Sequence, residues 1–184
     1  MSKLFVDEIV HQSSQGSGTI TLGASGEKIT TASGAEFSAV TGHNYPAFMA
    51  TQNATQNIAN NTQTKIQFQS KSWDTDSAFD NTTNYRFTVP TGKAGKYFFS
   101  TRALIRSGDN KEYIILFRKN GVSQNQLESK EITGGGSGAA GAQTQGLLDL
   151  ADGDYVEVFF YHTTGVTKDT YQNYTIFQGF RIGA

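Results

Sequence analysis

The chain has 184 residues, 15 basic against 16 acidic side chains, a formal charge of -1, and no cysteine. That length holds one ordinary domain plus an appendage, and its core needs no covalent staples. The missing cysteines exclude a disulfide framework and thiolate metal sites, and the balanced charge leaves no overall field to draw the chain to nucleic acid or an anionic membrane.

The opening text MSKLFVDEIV has two short apolar clusters, Leu4–Phe5–Val6 and Ile9–Val10, interrupted by Asp7 and Glu8. It reads as neither a secretory leader nor a membrane span. With no secretory address, the Asn-x-Thr triplets starting at Asn53, Asn60, Asn81 and Asn173 are a consequence of Asn- and Thr-rich composition. Glycine then recurs every eight residues at Gly18, Gly26, Gly34 and Gly42, each followed by β-branched or apolar residues such as Ile20, Ile29 and Phe37. Units this short cannot cover their own apolar side chains. They read either as an extended β arm or stalk whose neighbouring chains cover one another, or as a polar linker with fortuitous spacing.

Pro46 marks a boundary where aromatics become dense, dividing the chain into residues 1–45 and 46–184. Short β-branched and aromatic runs between Gly, Asn, Asp and Ser clusters follow, with no sustained helical period. Strands are predicted over 47–51, 64–68, 85–89, 95–106, 112–119, 143–150, 155–162 and 174–182. Asn120-Gly121 and the ADGD run from Ala151 to Asp154 are tight-turn signals. So many antiparallel strands exceed a comfortable single open sheet and predict a sandwich.

Alternation assigns faces. Tyr85, Phe87 and Val89 share one side of the first central strand, and Pro90, unable to donate to a ladder, ends it. In GKYFFSTRALI, Tyr97, Phe99, Thr101, Ala103 and Ile105 share one side. Phe98 points the other way, so this strand is expected to be covered on both faces.

The spacing of Phe68, Asp74 and Phe79, of Phe87, Pro90, Gly95, Tyr97 and Phe99, of Leu150, Gly153, Asp154 and Val156, and of Phe177, Gly179 and Phe180 resembles the globular head of the complement 1q and tumour-necrosis-factor-like proteins. The family usually has an aromatic where Thr101 stands, and shorter spacings from Phe79 to Phe87 and from Phe87 to Gly95. The resemblance covers residues 46–184 and implies an all-β, ten-stranded antiparallel jelly-roll sandwich assembling as a homotrimer. Rings in excess of one core would then cover subunit interfaces, and Phe98, Phe117, Phe159, Tyr161 and Phe177 are the candidates for core or interface.

MSKLFVDEIV with TITLGASGEKITTASGA is similar to the start of short virion proteins of marine tailed bacteriophages, cyanophages among them, in which such a lead precedes a complement 1q-like head. This resemblance implies a structural, tail-fibre-like protein, made in the bacterial cytoplasm and located in the virion. Leu4, Phe5, Val6 and Ile9 would dock it to other virion proteins, and the head loops, with Arg106, Lys111 and Tyr171, would contact a host-surface glycan or protein. The alternative is a capsid decoration trimer that stabilises the phage head.

Enzymatic chemistry has little support. His11, His43 and His162 show no metal-ligand spacing, and no Gly-x-Ser-x-Gly elbow is present. The glycine-rich run from Thr133 to Gly141 lacks a following Gly-Lys-Ser/Thr and reads as a mobile loop. No catalytic residue, resident metal, cofactor, nucleic acid or membrane insertion is expected. Asp74, Asp76 and Asp80 could offer oxygen ligands to calcium but do not match an EF-hand and read as a solvated turn. Arg102, Arg106, Lys111, Arg118 and Lys119 form either a basic patch for polyanionic glycans or a solvated sheet surface. Trp73, expected in a loop, either stacks on a sugar or packs at the core edge.

Overall fold

A computed structural model describes residues 46–106, 111–132 and 138–183. The arm with its glycine repeats, and with them Leu4, Phe5, Val6 and Ile9, lies outside the described residues, as do His11 and His43. The described chain contains β1 (Ala47–Thr51), β2 (Asn57–Ile58), β3 (Thr64–Lys65), β4 (Ser70–Asp74), β5 (Phe79–Asp80), β6 (Arg86–Thr88) and β7 (Gly95–Arg106). It continues with β8 (Glu112–Lys119), β9 (Val122–Ser123), β10 (Ser129–Ile132), β11 (Ala139–Leu150), β12 (Tyr155–His162), β13 (Lys168–Asp169) and β14 (Ile176–Gly183).

All pairings are antiparallel. One sheet runs β11-β7-β14-β1-β4, and the facing sheet runs β10-β8-β12-β6-β5 with β3 and β9 added to it. A separate ribbon joins β13 to β2. This is the predicted all-β jelly-roll sandwich, with each sheet turning one face to a shared core.

That core is ring-rich. Phe48 stacks on Phe79 and Phe87 at centroid distances of 4.9 and 5.1 Å and meets Phe177 edge-on at 4.9 Å. Phe68, Phe99, Phe117 and Phe160 are buried with them, as are Tyr97 and Tyr113. One sandwich therefore absorbs about half of the described rings, and the others lie half-buried or exposed on its surfaces. Burial of these rings from both sheets is what holds the layers together.

The predicted parity of β7 holds: Tyr97, Phe99, Thr101, Ala103 and Ile105 are all buried. Its other face is open, with Lys96, Arg102 and Arg106 exposed and Phe98 and Leu104 half-buried, so the protomer covers only one side of this strand. Thr101 fits among the rings because its hydroxyl donates to the Ile176 carbonyl at 2.9 Å, satisfying a group that burial would otherwise penalise. On the neighbouring strand, a Cβ at Gly179 would come within 2.4 Å of the Phe99 ring.

Local departures from the prediction have local causes. Tyr85 has φ of +50°, in the left-handed region, and so precedes the strand instead of sharing the face of Phe87 and Val89. The strand expected over 64–68 pairs as a ladder only at Thr64–Lys65, although Ile66 still donates to the Val158 carbonyl. The strand expected from Tyr174 starts at Ile176, because Gln172–Tyr174 closes a 3-10 turn. Ala139–Gly141, expected in a loop, open β11 by pairing with Leu104–Arg106. Trp73, also expected in a loop, sits on β4 opposite Met49. The two turn signals hold: Asn120 and Gly121 take φ of 50° and 80°, and Asp154 N–H donates back to the Ala151 carbonyl at 3.1 Å, with Gly153 at φ of 80°.

Candidate functional site

Two features of the five-stranded sheet stand out, both on the face turned away from the core. The first is a cross-strand apolar row. Strand register sets Leu147 opposite Phe98, Phe98 opposite Phe180, and Phe180 opposite Ala47, so one row crosses β11, β7, β14 and β1. Direct opposition brings such side chains together. The Phe98 and Phe180 rings lie 5.5 Å apart, yet Phe180 remains 48% and Leu147 59% exposed. Trp73, 46% exposed, and Ile182 extend the apolar character of this face. Contiguous exposed apolar side chains of this kind mark interaction surfaces.

The second feature lies at the end of the sandwich away from Ala47. Because β1 and β7 are both antiparallel to β14, they run the same way, and Arg106 ends β7 at the pole opposite the start of β1. There the Arg106 guanidinium lies 4.3 Å above the Tyr171 ring, and Arg102 Nε donates to the Tyr174 carbonyl at 3.0 Å. Two of the three residues expected in contact loops, Arg106 and Tyr171, are thus brought together. Lys111 is exposed just before β8.

The five core-or-interface candidates separate. Phe117 and Phe177 are fully buried in the core. Phe98 is half-buried on the outer face of the five-stranded sheet. Phe159 and Tyr161 are half-buried on the facing sheet, where Phe159 lies 3.8 Å beneath the Arg118 guanidinium and Tyr161 donates to the Asn61 side-chain oxygen. The five basic residues do not form one patch. Arg102 and Arg106 belong to one sheet, whereas Arg118 and Lys119 belong to the other, and Lys119 is paired with Asp154 at 2.9 Å.

The acidic set closes turns. Asp74 accepts from the backbone N–H groups of Ala78 and Phe79 and pairs with Lys71, while Asp80 accepts from those of Thr82, Thr83 and Asn84. Those donors, above all the backbone N–H of Thr83, hold Asp80 well below the usual carboxylate range. Among the described residues no three His, Asp or Glu side chains converge as a metal group would require. His162 is fully buried, with Nε2 3.0 Å from the Ile58 carbonyl and Nδ1 facing Thr164. Burial lowers its pKa, and this favours the neutral ring.

Sequence reading missed Leu147, Phe180 and Tyr174 as surface residues. The signal for Phe180 was available: with Phe177 and Gly179 facing inward, alternation turns Phe180 out on the same face as Phe98.

The family model for the C1q domain matches residues 47–182. Among solved structures, the globular domain of zebrafish complement 1qA protein superposes with a TM-score of 0.56 at 23% identity, covering 75% of this chain and 98% of that one. Murine APRIL at pH 5.0 gives 0.55 at 9% identity over 75% and 99%, and Eiger TNF from S. frugiperda gives 0.52 at 10% identity over 76% and 93%. No curated protein matches the chain.

Proposed function

The chain belongs to the C1q-domain family, and from that premise we propose that it is a non-enzymatic, homotrimeric virion structural protein, a short tail fibre or appendage whose head meets the host surface. The observation that carries the trimer is the Leu147–Phe98–Phe180 row, with Trp73 also exposed on the same sheet. An isolated protomer leaves these side chains in water, and packing the sheet face against further copies removes that cost. The virion setting is supported by the similarity of residues 1–10 and 19–35 to the lead of phage structural proteins. In this reading Leu4, Phe5, Val6 and Ile9 dock the arm to other virion proteins, and the pole carrying Arg106, Lys111 and Tyr171 faces outward. Polar loops there suit weak contacts multiplied by three.

Sedimentation of the purified chain at high concentration tests the assembly. The expected species has three protomers, and a strict monomer overturns the proposal. Gold-labelled antibody on intact virions tests placement. Label at the tail supports the appendage, whereas label spread over the capsid assigns a decoration trimer instead. Incubation with host polysaccharide should leave polymer length unchanged, and depolymerisation would reverse the non-enzymatic reading.

A further inference from the structure

Beyond the level at which β14 begins, β7 is flanked by the segment 170–174 in place of a full strand. That segment is fastened firmly. Thr170 bridges Ile105, and its N–H and hydroxyl bond the backbone of Gln56 at 2.9 and 2.8 Å. Tyr171 N–H donates to the Leu104 carbonyl at 2.7 Å, and the Thr175 hydroxyl donates to the Tyr171 carbonyl at 3.1 Å. The result is a rigid shelf carrying two tyrosines whose rings meet edge-to-face at 5.5 Å, with Tyr174 52% exposed.

Two exposed guanidinium groups are laid against this shelf. Arg102 spends its Nε on the Tyr174 carbonyl, leaving its terminal nitrogens available, and Arg106 lies over Tyr171. Among the described residues the ion pairs engage Lys65, Lys71, Lys119 and Lys130, and neither arginine has a carboxylate partner. Arg102 also lines a shallow groove of about 170 Å³ with Leu104, Gln143 and Glu131.

We infer that Arg102, Arg106, Tyr171 and Tyr174 form a binding site for an anionic polysaccharide bearing carboxylate or sulfate groups. A guanidinium fork matches paired oxygens of either group, and an exposed phenol ring offers a flat apolar surface to a sugar ring. The arginines stand four residues apart on one strand face, about 13 Å. That spacing suits a polymer with recurring charge better than a single small anion. An acidic peptide is the weaker fit, because it could engage the two arginines but offers no flat ring to the exposed Tyr174 phenol, whereas a charged sugar polymer meets both. Glu131 at the groove rim opposes an anion, so its removal should strengthen binding. The inference rests on the proposed outward-facing head and names what that pole takes hold of.

The full-length protein is titrated at fixed ionic strength against dextran sulfate, polygalacturonate and neutral dextran. Binding to one or both charged polymers and not to dextran is expected, and the two charged arms distinguish sulfate from carboxylate. Arg102→Gln with Arg106→Gln should weaken binding at least tenfold, Tyr174→Ala several-fold, and Glu131→Gln should tighten it. Arg106→Lys keeps the charge and should still weaken binding, since an ammonium lacks the fork. Lys71→Gln with Lys130→Gln, removing the same charge elsewhere, should change it less than twofold. Equal loss in that control, full binding by Arg106→Lys, equal affinity for dextran, or no binding to any polymer overturns the site. Sedimentation of the same samples separates the two readings. A trimer that binds nothing defeats this inference alone, while a monomer with arginine-dependent binding defeats the trimer and leaves the site standing.

Discussion

Single side chains carry sharply different consequences here. Gly179 lies under the Phe99 ring at a distance no Cβ tolerates, so Gly179→Ala must displace a ring at the centre of the core. Overpacking of this kind costs about 1–3 kcal/mol, and denaturant unfolding should show that loss without a change of fold. His162 is buried neutral, facing the Ile58 carbonyl and Thr164, with Lys168 near enough to disfavour a second positive charge. Its folded pKa lies below the unfolded value of about 6.5, so the unfolded chain takes up the proton first. Stability from this residue is complete above about pH 6.5 and declines as pH falls below it. A plot of unfolding free energy against pH should slope downward from pH 7 to 5, and His162→Gln should flatten it. Asp154 acts at lower pH. It accepts from the Asn120 side chain and the Ala151 N–H and pairs with Lys119, contacts that hold its pKa near 2. Its contribution is present above about pH 4 and is lost as pH falls toward 2. Asp154→Ala should cost about 1–3 kcal/mol at pH 7, and the gap to the parent chain should close in acid.

At the scale of elements, parity and turns decide what can be read from sequence. β7 and β12 show near-regular alternation bounded by turn residues, and both span the predicted residues. β1 and β8 do likewise. The two-residue strands β2, β5, β9 and β13 are too short to carry a period, so only their partners define them. The same holds for β4, SKSWD, which becomes a strand by pairing with β1. Asn120-Gly121 links β8 to β9 with both residues at positive φ, the geometry that matches the twist of a two-residue hairpin. Gly121→Val forces a branched side chain into that region. We expect a loss of about 1–2 kcal/mol in thermal or denaturant unfolding, with the sandwich retained.

For the whole molecule the decisive matter is which face of the five-stranded sheet meets solvent. If copies pack on it, Phe180→Asp or Leu147→Asp should convert trimer to monomer in sedimentation while the far-ultraviolet dichroism of the sandwich stays unchanged, because both side chains lie outside the core. Retention of a trimer by both variants would move the interface elsewhere. The amino-acid sequence by itself determined the all-β class, the long strands, the hairpin turns and the inward face of β7, because these follow from local periodicity and from backbone preferences of Gly, Asn and Pro. Tertiary structure alone decided that Phe117 and Phe177 are core, that Phe98 meets Phe180, and that Arg106 rests on Tyr171. Such meetings depend on register between strands distant in the chain, and periodicity within one strand says which side a residue faces without saying what it faces.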